Sequence, residues 1–300
     1  MVTSSKVLDV FREFRDRPFV FVEPGGNFGD QLIYRGAEKL AAGVGLRFCS
    51  ISYQEFVRRR LDREEVVYIH GGGGCVPWWS GTPIAALKRL LQIHSGVVIV
   101  GPQTFWTEPK FLRRVLRGVR HPRPARIILF TREAISWKAV REHAPIHTEV
   151  IADHDTALNL SADDLGISRC VRQGDLWLLR KDKEAPRRSP HVAQAVDPIA
   201  TCATLEEWLE IHNSARTIVT NRLHSAIVAS ILDIPAVLFP NNYFKNAAVW
   251  EFSLKSRGVL WSDVPPPFDT SVPTPGAEKS GRVSTGVSKF SVGWHRKTNA

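Results

Sequence analysis

The sequence has no apolar run approaching the ~20 residues that a membrane-spanning helix needs. Its opening stretch, with Arg12, Glu13, Arg15 and Asp16, holds no signal-peptide core. A protein made and kept in the cytoplasm is the expectation, with any membrane contact peripheral. Cysteine is scarce: Cys49, Cys75, Cys170 and Cys202 are scattered, form no CxxC pair and have no His-rich spacing beside them. That excludes the pattern of a zinc site and points to reduced thiols. No internal repeat is visible, so a solenoid is excluded. The basic residues form no aromatic-interleaved patch or known binding motif, so a nucleic-acid partner is not expected.

What is present points elsewhere. A length of 300 residues with a hydrophobic share of 43% suits two globular domains. Lys and Arg outnumber Asp and Glu by 40 to 30, a net charge of +10 that favours an anionic partner. Short β-branched runs alternate with amphipathic stretches from about residue 6 to residue 260, the pattern of parallel βα units. Strands are predicted at Phe19–Val22, Leu46–Ile51, Val66–Ile69, Val97–Val100, Arg126–Phe130 and near Ile146–Ile151. A second series follows at Leu176–Arg180, Thr217–Val219 and Ala236–Phe239. Helices are predicted over Gln31–Ala42, Pro83–Ile93 and Pro109–Val119, and Thr204 with Glu207 resembles a capping box opening a helix to about His212. The expected architecture is α/β: two Rossmann-like open-sheet domains facing across a cleft, over residues 1–165 and 166–263. Residues 264–300, rich in Pro, Gly, Ser and Thr and carrying Lys279, Arg282, Lys289, Arg296 and Lys297, read as a basic, mostly disordered tail.

In an open parallel sheet, ligands collect at the carboxyl ends of the strands, so the residues just after each strand matter most. After the first comes Gly25-Gly26-Asn27-Phe28-Gly29-Asp30, running into a helix. It offers close backbone approach and helix N–H groups to an anion, or serves only as a tight turn. After the third comes His70 with Gly71, Gly72, Gly73 and Gly74, a ligand approach or a structural bend. Arg132 follows the Arg126–Phe130 strand at a helix start, where a cation is disfavoured unless an anion or a salt bridge with Glu133 or another acid compensates it. Arg222 and His224 flank Leu223 at the start of another helix, joining a planar anion fork to a group that carries a proton near neutral pH. Lys245 follows the Ala236–Phe239 strand and adds a cation at the same edge.

Those residues are where the chain resembles a known family, the polysaccharide pyruvyl transferases. The resemblance runs from Gly25 to Leu254, at GGNFGDQLIYRGA, HGGGG, VGPQTF, TREAIS, ADHDTAL and, most specifically, NRLHSAIVASILDIPAVLF followed by Lys245. It implies a fold like the glycosyltransferase B type, with phosphoenolpyruvate as donor substrate held by Arg132, Arg222, His224 and Lys245, and a saccharide acceptor, lipid-linked or free. Where many relatives have proline after the aspartate, this chain has Asp155-Thr156, and Asp155 is not counted in the site. Acceptor or loop contacts are expected from Gly26, Asn27, Asp30, His70, Gly71, Gly72 and Gly73.

On this reading His224 is the acid that protonates the donor's methylene carbon, and Asp30 is the candidate base for the sugar hydroxyl. No cofactor or metal is expected, because Arg and Lys can neutralise the leaving phosphate. The rival is a nucleotide-sugar-dependent glycosyltransferase, which would want a carboxylate for ribose hydroxyls. The acids nearest in sequence to the second-half cations, Asp233 and Glu251, do not suit that role. Arg58, Arg59, Arg60, Arg113, Arg114, Arg117 and Arg120, with the tail, are a candidate surface for contact with anionic membrane.

Overall fold

A computed structural model describes residues 5–79, 81–116, 123–145, 147–168, 170–186, 192 and 194–264. Among the described residues, eleven strands form two sheets whose paired strands all run parallel. The strands are β1 (Phe19–Glu23), β2 (Phe48–Ser52), β3 (Val66–Ile69), β4 (Gly72–Cys75), β5 (Val97–Phe105), β6 (Arg126–Thr131), β7 (Thr148–Ala152), β8 (Gln173–Leu178), β9 (Ala215–Thr220), β10 (Ala236–Leu238) and β11 (Leu260–Trp261). The first sheet has the order β2-β1-β3-β5-β6-β7, with β4 also paired to β5; the second has the order β11-β10-β9-β8. The α/β expectation holds. Strands such as β3 and β5 are buried along their whole length because helices cover both faces of a parallel sheet, which is why their sequences are continuous apolar runs.

Strand positions match the sequence expectations to within a few residues, and the departures have physical causes. The chain bends after β3 at His70-Gly71 and continues as β4, pairing the far half of β5 at Gln103 and Phe105 after a register shift. A strand made of Gly72-Gly73-Gly74-Cys75 has no side-chain alternation to reveal it. The Lys6–Glu13 helix is a further element beyond those expected, and it buries Val7, Val10 and Phe11 at helical spacing. Thr204 does cap the Leu205–Asn213 helix by accepting from Glu207 N–H. Glu207, however, accepts from Ala203 N–H rather than from Thr204, so the box is half made. Ile146, residues 117–119 of the expected Pro109–Val119 helix, and residues 265–300 of the expected tail lie outside the described residues.

One helix joins the two sheets. Asn27 and Asp30 form a reciprocal capping box at the start of Phe28–Gly43, which begins three residues before the expected Gln31. Its Leu32 and Ile33 enter a core shared with Leu158, Trp208, Leu223 and Ile227, so the face of this first-half helix packs on second-sheet elements. Gly36 permits the contact: a Cβ there would fall 2.0 Å from the Thr156 carbonyl oxygen. Among the described residues, no helix is long and apolar enough to cross a membrane.

Candidate active site

In the first sheet β2 lies on one side of β1 and β3 on the other, so the connections diverge there and open a crevice at the strand ends. Gly25 (φ +85°) and Gly26 (φ +149°) turn the chain out of β1 with backbone angles that side chains rarely adopt. A cavity of about 460 Å³ lies here, lined also by Gly71, Gly73 and Gly74, by Arg132 after β6, and by second-sheet strand ends that bring Arg180, Arg222, His224 and Lys245. The expected site residues Gly26, Asn27, Asp30, Gly71, Gly73, Arg132, Arg222, His224 and Lys245 therefore share one cavity.

Each cation in it is held by a carboxylate. Arg132, 1% exposed, donates through Nη1 to Asp155 Oδ2 at 2.5 Å and through Nε to Thr104 Oγ1 at 2.9 Å. Arg222 Nη2 sits 2.7 Å and 2.6 Å from the two carboxylate oxygens of Asp197 and 3.3 Å from Asp182. Arg180 forks onto Asp182 at 2.9 Å through both Nε and Nη2, and reaches Glu184 at 2.6 Å through Nη1. Lys245 donates to the same Glu184, whose other oxygen accepts from Trp79 Nε1 at 2.7 Å. Burial pushes the Glu184 carboxyl up, but Lys245 and Arg180 outweigh it and bring it down to about 2. Burial, with the positive charges of Arg180 and Arg132, brings Lys245 down to about 8, against the opposing pull of Glu184. Pairing each buried charge removes most of its desolvation penalty and fixes its direction.

Those directions converge. A Cβ on Gly73 would lie 3.2 Å from Arg132 Nη2 and 3.6 Å from Lys245 Nζ, so the two cations reach the same point above a glycine. Opposite, His224 Nε2 lies 3.6 Å from Asp155 Oδ2. Burial pushes Asp155 up, yet the His224 imidazole and the Arg132 guanidinium together hold its carboxyl well below the usual range. Asp30 Oδ2 accepts from Asn27 N–H at 2.8 Å as part of the helix cap.

A family model described as polysaccharide pyruvyl transferase matches residues 27–243, a span that holds Arg132, Asp155, Arg222 and His224. The chain belongs to the polysaccharide pyruvyl transferase family. Membership implies a pyruvyl transferase enzyme, with transfer to a polysaccharide. In fold, this pyruvyl transferase is similar to the crystal structure of a functionally uncharacterised protein from Klebsiella pneumoniae subsp. pneumoniae. The TM-score is 0.67 and the identity 18%, over 88% of this chain and 100% of that one. No curated protein matches the pyruvyl transferase.

Several expectations are corrected. His70 does not line the cavity; it is fully buried between Tyr34, Phe21 and Tyr68, and burial brings it down to about 3, so it is neutral and cannot serve as a contact or acid there. Gly72 does not line the cavity; its α-carbon faces Asp30 and Ile33. Asp155, left out of the site, is its buried hub. The carboxylates of the second half are Asp182, Glu184 and Asp197 rather than Asp233 or Glu251. Arg180 ends the predicted Leu176–Arg180 strand and Lys181-Asp182-Lys183-Glu184 follows it directly, so the strand-end rule applied there would have found the segment. The salt bridge open to Arg132 is made with another acid, Asp155, rather than with Glu133, which caps the Ala134–His143 helix through Ser136 N–H. Arg59 pairs with Glu65 and so leaves the candidate membrane surface, and Arg117, Arg120 and the tail lie outside the described residues.

Proposed function

We propose that the enzyme moves pyruvate from phosphoenolpyruvate onto two hydroxyls of one sugar in a cell-surface glycan precursor, forming a pyruvate ketal and releasing phosphate. The observation that carries this reading is the convergence of Arg132 Nη2 and Lys245 Nζ above Gly73. A small dianion seated there meets two full charges, with glycine making room for its oxygens. The donor's second acidic group turns toward Arg222, whose Nε is buried without a partner among the described residues.

The chemistry balances without a further reagent. His224 gives a proton to the methylene carbon, the enol π pair forms the new C–H bond, and C2 becomes oxocarbenium-like. A sugar hydroxyl adds to C2 and loses its proton to Asp30 Oδ1. The C2–O bond to phosphate breaks with its electron pair, and a second hydroxyl closes the ketal, its proton leaving with phosphate. Two hydroxyl protons are lost and one is gained at carbon; the other departs on phosphate.

We read the two sheets as the halves of a glycosyltransferase-B-like arrangement, residues 1–165 and 166–263, with the donor held by Arg222, His224 and Lys245 of the second and met by Arg132 and Gly73 of the first, and the acceptor on the first. The exposed Arg58, Arg60, Arg113 and Arg114 suit an anionic membrane face, where a lipid-linked acceptor would reside. A nucleotide-sugar glycosyltransferase is the alternative, and Asp182 is the carboxylate it would use, although Arg180 and Arg222 already engage it. Thermal shift separates the two: phosphoenolpyruvate should raise the midpoint even with chelator present, by mass action on the folded state. A shift with UDP- or GDP-sugars and none with millimolar phosphoenolpyruvate would replace the proposal with the alternative.

A further inference from the structure

We infer that Asp155 and His224 act as a dyad in which Asp155 fixes a proton on Nε2, Nδ1 is the nitrogen that gives its proton to the substrate, and Gly29 makes the room in which the ring takes this position. The identity of the proton's destination rests on the pyruvyl-transfer reading; the arrangement of the ring does not.

The His224 ring is confined from two sides. On one, Nε2 is buried, has no partner within bonding distance among the described residues, and faces Asp155 Oδ2 at 3.6 Å. Asp155 cannot turn away, because Oδ2 accepts from Arg132 at 2.5 Å and Oδ1 from the Ala157 N–H at 3.0 Å. On the other side, Nδ1 lies against Gly29, where a Cβ would fall 2.2 Å from Nδ1 and 2.4 Å from Cγ. No side chain fits at this place in the first turn of the Phe28–Gly43 helix while the ring stays where it is. His224 lines the cavity. A carboxylate beside one ring nitrogen favours the proton there and leaves the other for the substrate. The charged groups around the ring are Asp155 with Arg132 beyond it, Asp30 next to Gly29 on the same helix, and Arg222 two residues earlier in the chain. In the dyad this 3.6 Å gap shortens to a hydrogen bond when the imidazolium forms.

In the step itself the imidazolium loses its Nδ1 proton to carbon, the N–H electrons remain as the Nδ1 lone pair, and Asp155 stays a carboxylate. The ring is left as the neutral Nε2–H tautomer. The proton that Asp30 takes from the first sugar hydroxyl restores Nδ1 through solvent.

Nitrogen-15 histidine NMR of the full-length enzyme without substrate tests the arrangement, with the His224 signals assigned by their loss in His224→Gln. Neutral His224 should carry its proton on Nε2, and Asp155→Asn should remove that preference. A wild-type Nδ1–H tautomer, or no change in Asp155→Asn, overturns the dyad. Turnover supplies the second test through double-variant cycles. Asp155→Asn and Gly29→Ala should each lower kcat by about 10²-fold or more, yet add less than about threefold in the His224→Gln background. His224→Gln removes the ring but keeps Cβ, which would lie 2.7 Å from the new methyl, so Gly29→Ala is followed by its melting midpoint and the Asp155→Asn cycle decides the case if that variant unfolds. Additive losses would show that both residues act independently of His224 and overturn the proposal. An enzyme inert toward phosphoenolpyruvate that still shows the Nε2–H tautomer supports the dyad and overturns the pyruvyl-transfer reading instead.

Discussion

Gly73→Ala puts a single methyl group where the donor phosphate is proposed to sit. The Gly73 backbone is not in the left-handed region, so alanine meets no conformational strain, and its Cβ would contact Arg132 Nη2 at 3.2 Å and Lys245 Nζ at 3.6 Å. The Arg132 contact needs only a few tenths of an ångström of relief. The fold should therefore survive with a melting midpoint within a few degrees of wild type, while the anion loses its place between the cations. A hydrogen bond to a charged group is worth about 1.5–3 kcal/mol. Losing both would cost about 3–6 kcal/mol, or roughly 10²- to 10⁴-fold in Kd. Titration calorimetry with phosphoenolpyruvate reads this directly. Binding within threefold of wild type by a folded Gly73→Ala variant would refute the placement of the anion above Gly73.

Other consequences follow from the same network. With Lys245 brought to about 8, it is charged below that pH, so donor affinity should hold below pH 8 and decline above it as the ammonium is lost; Lys245→Arg should remove this alkaline limb, and an unchanged limb would show that another group sets it. Glu184→Gln leaves Lys245 and Arg180 short of a buried counter-charge and should destabilise the fold by about 3–5 kcal/mol in urea unfolding, whereas stability within 1 kcal/mol would mean that the cations find solvent. Arg222→Lys keeps the charge but loses the planar fork, so donor Kd should rise by about tenfold or more with kcat within threefold; a kcat loss at unchanged affinity would move Arg222 into the chemical step.

The parallel βα series was legible because strands covered on both faces leave β-branched apolar runs such as Val97–Val100, and the glycines and cations after them marked the site. Strand β4 was not legible, since Gly72-Gly73-Gly74 pairs through backbone alone. The carboxylate partners were hidden for a different reason. Arg132 meets Asp155 across 23 residues of sequence, Arg222 meets Asp197 across 25, and Lys245 meets Glu184 across 61, so nothing local records the pairing. His70 misled because its position after a strand is the same as that of a site residue, while the bend at Gly71 turns the ring inward among Phe21, Tyr34 and Tyr68.

The central claim is that phosphoenolpyruvate is the donor and a sugar diol the acceptor. Its most direct measurement is to incubate the enzyme with carbon-13-labelled phosphoenolpyruvate and a panel of free and lipid-linked saccharides, following phosphate release and the label together. The account predicts one labelled ketal carbon on the saccharide for each phosphate released, with no release when the acceptor is omitted. Glycosyl transfer from a nucleotide sugar, with phosphoenolpyruvate left intact across the panel, would contradict it.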